Sequence, residues 1–304
     1  MFAVTQADDR DDLGVDDGLP GGDPGEARAW RGRHHGQFYA GAAIIAIIVA
    51  VSLLAPVIAP DSPFTQNFAE RFRPQFSDGH ILGTDSDGRD VLSRLIWGGR
   101  TSLLVAFLAT TAAAVIGTVA GLAAAFTPGW LSALIMRTTD LLLAFPVVMI
   151  ALSLAEIIGP GVWVIGVSIV CSAVPYIIRI TYGEARRERN KEYVEAAVAL
   201  GAGRWSIMLR EVAPNISTSV LVYWSSLIGI TTVFAASLSA IGVGIQPPTA
   251  DWGQMIADGA QVLLSGSPWE AIIPGIAVLL VGVAFNWLGD GLRDILDPRS
   301  SAVR

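Results

Sequence analysis

Long uncharged runs of apolar residues alternate with short charged segments along almost the whole chain. The first run, 38–59, is long enough at about 1.5 Å per residue to cross a hydrocarbon core of roughly 30 Å as a helix. Each later run can also span a membrane if the helix is somewhat tilted. These runs cover 101–126, 131–158, 161–178, 216–245 and 271–289. The pattern predicts an all-α polytopic membrane protein with six transmembrane helices.

Composition agrees with a membrane location and argues against an enzyme. Hydrophobic residues make up 52% of the chain and charged residues 15%, whereas about 25% is usual for charged residues in soluble domains. The single lysine, Lys191, follows Asn190 rather than a glycine, so the Gly-Lys pair of a Walker A loop is missing. No nucleophile–base constellation and no H-E-x-x-H motif is present. The chain is therefore not expected to hydrolyse ATP or to be an enzyme.

The two ends of the chain are predicted to lie in the cytoplasm. Residues 1–37 are acidic and rich in glycine and proline, which predicts a disordered tail that remains attached. Basic segments flank the first span, fill the loop after the fourth and follow the last: 28–33, 186–210 and 293–304. The permease domain proper is placed at 38–299, and 300–304 form a cytoplasmic C-terminal end. The loop 60–100, with five arginines, fits the outside less well.

A short helix is predicted in the cytoplasmic loop between the fourth and fifth spans. Asn190 can cap its start and Gly201 can end it, which leaves about ten residues. Four residues at i, i+3, i+4 and i+7 form one narrow face: Tyr193, Ala196, Ala197 and Leu200. The alanines would let another protein approach closely. The alternative is a helix that packs only on its own bundle.

This loop resembles the EAA loop of ABC-type importer permeases. Glu195-Ala196-Ala197 is followed by Gly201, and Pro214 closes the next short helix. The family often has Ile-Leu before this proline, where the present chain has smaller apolar residues. In that family the loop forms the coupling helix that fits a groove on the cytoplasmic ATPase subunit. The resemblance implies ATPase coupling for Tyr193, Glu195, Ala196, Ala197, Leu200, Gly201 and Arg204.

A second resemblance narrows the family. The stretch 80–103 looks like the segment before the second span in dipeptide, oligopeptide and nickel permeases, particularly their C-type partner, and 137–146 and 286–299 are similar to that group as well. The resemblance implies a homologous second permease, two cytoplasmic ATPase subunits or domains and an extracytoplasmic substrate-binding protein. ATP and Mg would bind to the ATPase subunits, so no cofactor is expected in this chain, and no nucleic-acid partner either.

Charged residues outside the coupling loop are expected to serve the scaffold. No metal site is predicted, since His80, Asp85 and Asp87 have no second histidine or cysteine beside them. Arg137 and Asp140 lie three apart on the third span and are expected to neutralise each other. Three arginines are expected to pair with neighbouring aspartates, or singly to lie on a solvated charged face: Arg89, Arg94 and Arg100.

In the family that the chain resembles, the spans on either side of the EAA loop help to line the transport pathway, which implies this role for the fifth span. Five residues at helical spacing mix apolar and hydroxyl groups on one face: Tyr223, Ser226, Ile230, Val233 and Ser237. Ser226, Val233 and Ser237 are predicted to border the pore near and above the midplane, because a passing solute needs weak, replaceable hydrogen bonds. The alternative is that these serines bond to neighbouring helices.

These features together predict a permease subunit of an ATP-driven importer in the bacterial cell membrane, which forms half of the translocation pathway for di- or oligopeptides. Nickel or another small solute remains open, because the choice of peptide rests on resemblance alone. A secondary transporter would need inverted repeats with broken helices at the midplane, and none is visible in the sequence. A membrane anchor without transport is the other alternative. Substrate choice is expected to reside in the binding protein.

Overall fold

A computed structural model describes residues 24–263 and 267–296 of the chain. Within these ranges all regular elements are helices, as predicted. They are α1 Pro24–Leu53, α2 Ala55–Ile58, a 3-10 turn Phe68–Glu70, α3 Val91–Phe126, α4 Gly129–Ala144, α5 Val147–Ile158, α6 Val162–Arg189, α7 Glu192–Ala199, α8 Arg204–Ser206, a π-helical turn Ile207–Val212, α9 Ala213–Ala240, α10 Trp252–Gln261 and α11 Trp269–Leu296.

Five helices are long and apolar enough to cross a membrane in the part of the chain that the structure describes. They are α1, α3, α6, the continuous helix Arg204–Ala240 that includes α9, and α11. The predicted third span, 131–158, is not one straight helix, because α4 and α5 meet at an angle of 85°. Phe145 is extended and Pro146 is the N-cap residue of α5. The extended Phe145 follows from the clash between a proline ring and a preceding helical residue. Six spans are present if this bent pair counts as one.

Two helices begin earlier than the apolar runs predicted. The backbone is already helical at Pro24, so the prediction of a disordered tail is wrong for residues 24–37. Residues 1–23 and the predicted C-terminal end 300–304 lie outside the described ranges. α3 begins at Val91 because the Asp90 carboxylate accepts a hydrogen bond of 2.7 Å from the backbone N–H of Ser93. A charged and capped segment thus precedes the uncharged part of the helix.

α3 lies at the centre of the bundle and contacts α1, α6 and α9, while α11 packs on α9 and α1. Small residues allow the closest approach. A side-chain carbon added at Gly117 would lie 2.6 Å from Cβ of Ile177, and one at Gly121 would lie 2.7 Å from Cβ of Thr181. The backbones of α3 and α6 therefore touch along two successive turns, the packing that small residues permit in membranes. Only a glycine fits at either position without moving α6.

Candidate functional site

α7 is the short helix in the loop between α6 and α8. It is anchored by Val194, whose side chain is only 3% exposed and packs in an apolar cluster with Ala185 of α6 and Ile207 and Met208 of the π-helical turn. Burial of a valine of this kind contributes roughly 1.5–3 kcal/mol. One face of α7 is thus fixed on the protein's own bundle.

The two ends of α7 differ in how well they were predicted. The N-cap residue is Lys191 rather than Asn190, and no side chain caps the first turn. Gly201 ends the helix as expected, with φ of +82°. The N–H of Gly201 donates to the Val198 carbonyl at 2.9 Å, and the N–H of Ala202 donates to the Ala197 carbonyl at 3.0 Å. This pair of hydrogen bonds is a Schellman motif, which requires a left-handed residue.

Substitution at Gly201 should act through backbone conformation alone. A side-chain carbon added there would meet no atom within 4 Å, so only the left-handed φ opposes a larger residue. We expect Gly201→Ala to loosen the end of α7 by about 1–2 kcal/mol. Hydrogen–deuterium exchange of the amides of α7 should accelerate correspondingly. Gly201→Asn should have a smaller effect, because asparagine tolerates this conformation better, and equal exchange in both variants would contradict the assignment.

Tyr193 connects α7 to the helices on both sides of the loop. Its hydroxyl donates to the Glu188 carboxylate of α6 at 2.9 Å and accepts from the Asn215 side-chain amide of α9 at 3.2 Å. Lys191 also donates to Glu188, at 2.9 Å. Burial, and next the hydrogen bond to Glu188, raises the pKa of Tyr193 to about 12. The phenol therefore remains a neutral donor at any physiological pH.

We expect Tyr193→Phe to lower the stability of the loop by about 1–2 kcal/mol, since the hydrogen bond to the Glu188 carboxylate is lost. The pKa in the folded state is raised, so this contribution is complete below pH 10 and is lost as the pH rises through about 12. Thermal unfolding of the parent and the variant should therefore differ by the same amount at pH 6 and pH 8. A difference in unfolding temperature that changes between pH 6 and pH 8 would contradict the hydrogen bond from Tyr193 to Glu188.

The predicted docking face of α7 is divided in the structure. Tyr193 and Ala197 are half-buried against the bundle, next to Val194, whereas Ala196 and Leu200 point away from it. Leu200 is 89% exposed. Of the other residues predicted to couple, three are exposed: Glu195, Gly201 and Arg204. The outward surface is therefore rotated relative to the predicted stripe.

Besides the predicted Leu200, the loop exposes three apolar residues that the prediction missed. Four large apolar side chains from α7 to the π-helical turn are open to solvent: Val198, Leu200, Trp205 and Leu209. We call these four residues the apolar patch. Exposed apolar groups at this density, rimmed by charged residues, are typical of a surface that binds another protein. The spacing of the four residues does not follow one helical face, so periodicity within α7 gave no signal for Val198, Trp205 or Leu209.

Two arginines join the loop to the C-terminal end of α3. Arg189 donates to the Ala125 carbonyl at 3.1 Å, and Arg204 donates to the carbonyl of Phe126. These carbonyls belong to the last turn of α3, which has no helical partners for them and carries partial negative charge. The two arginines border a cleft of about 490 Å³ between α3 and α7. Arg204, which was predicted only as a coupling residue, thus binds the C-terminal end of α3.

On the opposite side of the bundle, Arg89 and Arg94 belong to a buried network of ion pairs. Arg89 and Arg94 are 3% and 1% exposed, so the reading of a solvated face is wrong for both. Arg89 donates to Asp85 at 2.8 Å, and Arg94 donates to the same carboxylate. Both arginines also lie within 3.7 Å of Asp258 in α10. The network joins the loop 60–90 to α3 and α10.

Two further charge predictions have mixed outcomes. Asp140 does not neutralise Arg137, because its carboxylate accepts a hydrogen bond of 2.7 Å from Arg179 of α6. Arg100, unlike Arg89 and Arg94, takes part in no ion pair among the described residues and stacks at 5.9 Å over the Trp97 ring. Asp140 therefore links α4 to α6 through Arg179 instead of pairing with Arg137 of its own helix.

Comparison with known proteins identifies the family of the chain. Residues 115–302 match the family described as binding-protein-dependent transport system inner membrane component, and residues 27–74 match the N-terminal transmembrane domain of oligopeptide transport permease C. The chain belongs to this permease family. It is a multi-pass membrane protein, and the resemblance to the C-type permeases of peptide transporters is confirmed.

Several curated relatives cover most of the permease. A glutathione transport system permease protein of Pectobacterium atrosepticum is 35% identical over 267 residues, which is 88% of each chain. A dipeptide transport system permease protein of Alkalihalophilus pseudofirmus is 34% identical, over 85% of this chain and 84% of its own. A di/tripeptide transport system permease protein of Pseudomonas aeruginosa is 36% identical, over 88% and 89%.

The predicted pathway residues of the permease occupy two different environments on α9. A side-chain carbon on Gly289 of α11 would overlap the Ser226 hydroxyl, which donates to the Val222 carbonyl at 3.3 Å, so Ser226 lies between two helices. Val233 and Ser237 are exposed, and the Ser237 hydroxyl donates to the Val233 carbonyl at 2.9 Å. Ser226 is thus packed against α11, but its hydrogen bond stays within α9 and does not reach a neighbouring helix, while Val233 and Ser237 keep an open surface.

Proposed function

We propose that this chain is one of two permease subunits in an ATP-driven importer and forms half of a pathway for short peptides. The observation that carries the proposal is the similarity, over 85–88% of the chain, to permeases named for glutathione, dipeptides and di- or tripeptides. These solutes share a peptide backbone, which favours peptides over nickel. Membership of a binding-protein-dependent family favours an importer over a secondary transporter or an anchor.

The apolar patch, on the cytoplasmic side in this proposal, supplies the surface on which an ATPase subunit would dock. ATP and Mg would reside in two such subunits, and this chain would provide no catalytic group. An extracytoplasmic binding protein would deliver the peptide to the other side, with both termini of the chain in the cytoplasm. The exposed Val233 and Ser237 of α9 are the residues proposed to border the pathway.

The hydrogen bonds of the loop that contains α7 connect it to the spanning helices and would transmit its motion to them. When ATP closes the ATPase pair, a displacement of α7 would pull α6 and α9 through Tyr193 and would pull α3 through Arg204. Because these contacts reach three of the spanning helices, the bundle can respond as a rigid body that switches between inward-facing and outward-facing states. ATP binding shifts the balance between the two states only if it favours one of them.

Uptake of a radiolabelled dipeptide into cells that carry the complete transporter tests this proposal. We expect uptake to require the binding protein and ATP, and to persist when the ion gradient is collapsed but ATP is maintained. Uptake that follows the ion gradient would reject the proposal. Competition by glutathione, by a tripeptide and by Ni²⁺ then assigns the solute class, with peptides expected to compete and Ni²⁺ not.

A further inference from the structure

An apolar groove of about 260 Å³ lies on the outside of the bundle between α1 and α3. Its walls are exposed apolar side chains, Val49 and Leu53 from α1 and Leu104 and Phe107 from α3. Its floor is formed by buried residues of α9 and α11. Arg100 is the single charged residue that lines it. The groove therefore combines an almost wholly apolar surface with one cation.

Arg100 lies at the boundary of the membrane. It is the last charged residue before the uncharged run 101–126 of α3, and that run alone is about 39 Å long at 1.5 Å per residue. Leu53, on the opposite wall, ends α1. The guanidinium is thus placed where the hydrocarbon core gives way to lipid head groups. In the orientation proposed above, this is the outer leaflet.

The charge of Arg100 has no counterpart in the described protein. Its side chain is exposed, it makes no ion pair among the described residues, and its one aromatic partner is the Trp97 ring. The nearby Arg89 and Arg94 are buried and paired with Asp85. A guanidinium presents a planar fork of N–H donors that suits a phosphate. An unpaired arginine at head-group level therefore matches the phosphodiester of a phospholipid.

We propose that the groove is a binding site for one phospholipid, with its phosphate on Arg100 and one acyl chain along Leu104 and Phe107. From Arg100 to Phe107 the helix rises about 10 Å into the hydrocarbon, enough for a substantial part of an acyl chain. The floor of Ile228 and Phe285 offers apolar contact along this length. A bound lipid would fill the space between α1 and α3 and hold the first span against the bundle.

Native mass spectrometry of the full-length permease in mild detergent tests this site, with phosphatidylglycerol of defined chain length as the added probe. We expect Arg100→Gln to lower the lipid-bound fraction by about tenfold or more, as loss of a charge-assisted hydrogen bond implies. Leu104→Trp fills the groove but keeps the guanidinium, and it should lower the fraction similarly. Arg137→Gln removes an exposed arginine of α4 and should leave the fraction unchanged.

Photo-crosslinking identifies the occupant in the intact membrane. Benzoylphenylalanine at position 107, in place of Phe107, should form an adduct with a phospholipid. An adduct with a second protein subunit would overturn the proposal, because the groove would then be a subunit interface. A lipid-bound fraction that is equal in the parent, Arg100→Gln and Leu104→Trp would also overturn it. If Arg100→Gln fails to insert, Leu104→Trp and the crosslink still decide.

Discussion

Leu200→Glu is expected to lower ATP-driven uptake by more than about tenfold while the permease still inserts in the membrane. Leu200 is 89% exposed at the end of α7, so a carboxylate there disturbs no contact of the bundle. In an ATPase groove the same carboxylate would be buried without a partner, which is costly. Uptake of labelled dipeptide at matched membrane levels, with co-purification of the ATPase subunits, measures both effects.

A matched control separates docking from a general change of charge. Arg187→Gln makes this end of the bundle more negative by one unit of charge, as Leu200→Glu does, but it alters an exposed residue of α6 outside the patch. We expect nearly normal uptake in this variant. If Leu200→Glu kept its ATPase subunits and its uptake, the assignment of the apolar patch as the docking surface would be wrong.

The sequence predicts α7 itself because the signals for it are local. Gly201 must adopt a left-handed conformation to end the helix, and that requirement is visible in the residue type. Which side of α7 faces the bundle depends on distant partners. Val194 is buried because Ile207 and Met208, from a later turn, cover it, and no periodicity within eight residues contains that fact.

The third span shows a similar limit. Hydropathy marks 131–158 as a continuous apolar run, and Pro146 signals a local kink, but neither gives the angle. The bend of 85° depends on how α4 and α5 pack on α3 and α6. Asp140, on α4, is paired with Arg179 of α6 rather than with a residue of its own helix. A break in a helix is thus predictable where its direction is not.

The burial of charged residues depends on long-range contacts. Arg89 and Arg94 stand near several acids in the sequence, a pattern that fits a solvated face as well as a buried network. Their burial depends on Asp258, which lies far along the chain in α10 and comes within 3.7 Å of both guanidiniums. The local sequence around the two arginines does not contain this long-range contact, so it does not predict that they share a buried site. Asp85 is the residue on which that site depends most.

Asp85→Ala should therefore prevent the permease from accumulating in the membrane. The Asp85 carboxylate accepts hydrogen bonds from Arg89 at 2.8 Å and from Arg94, and its second oxygen accepts from the backbone N–H groups of Asp87 at 2.8 Å and Arg89 at 2.9 Å. Its removal takes away the closest acid of two buried cations, Arg89 and Arg94, and leaves Asp87 beside Arg89 and the more distant Asp258 near both. Breaking a buried ion pair in this way costs about 3–5 kcal/mol, a large part of the stability of a typical domain.

Membrane levels and the thermal unfolding temperature of purified protein measure this loss. Arg71→Gln is the control, because Arg71 is half-exposed and its ion pair with Asp87, at 4.0 Å, is open to solvent. Such pairs contribute about 0–1 kcal/mol, so this variant should accumulate like the parent. Equal accumulation of Asp85→Ala and Arg71→Gln would mean that the burial of Arg89 and Arg94 is compensated by other groups. In that case the network would not be what fixes the loop 60–90 on α3.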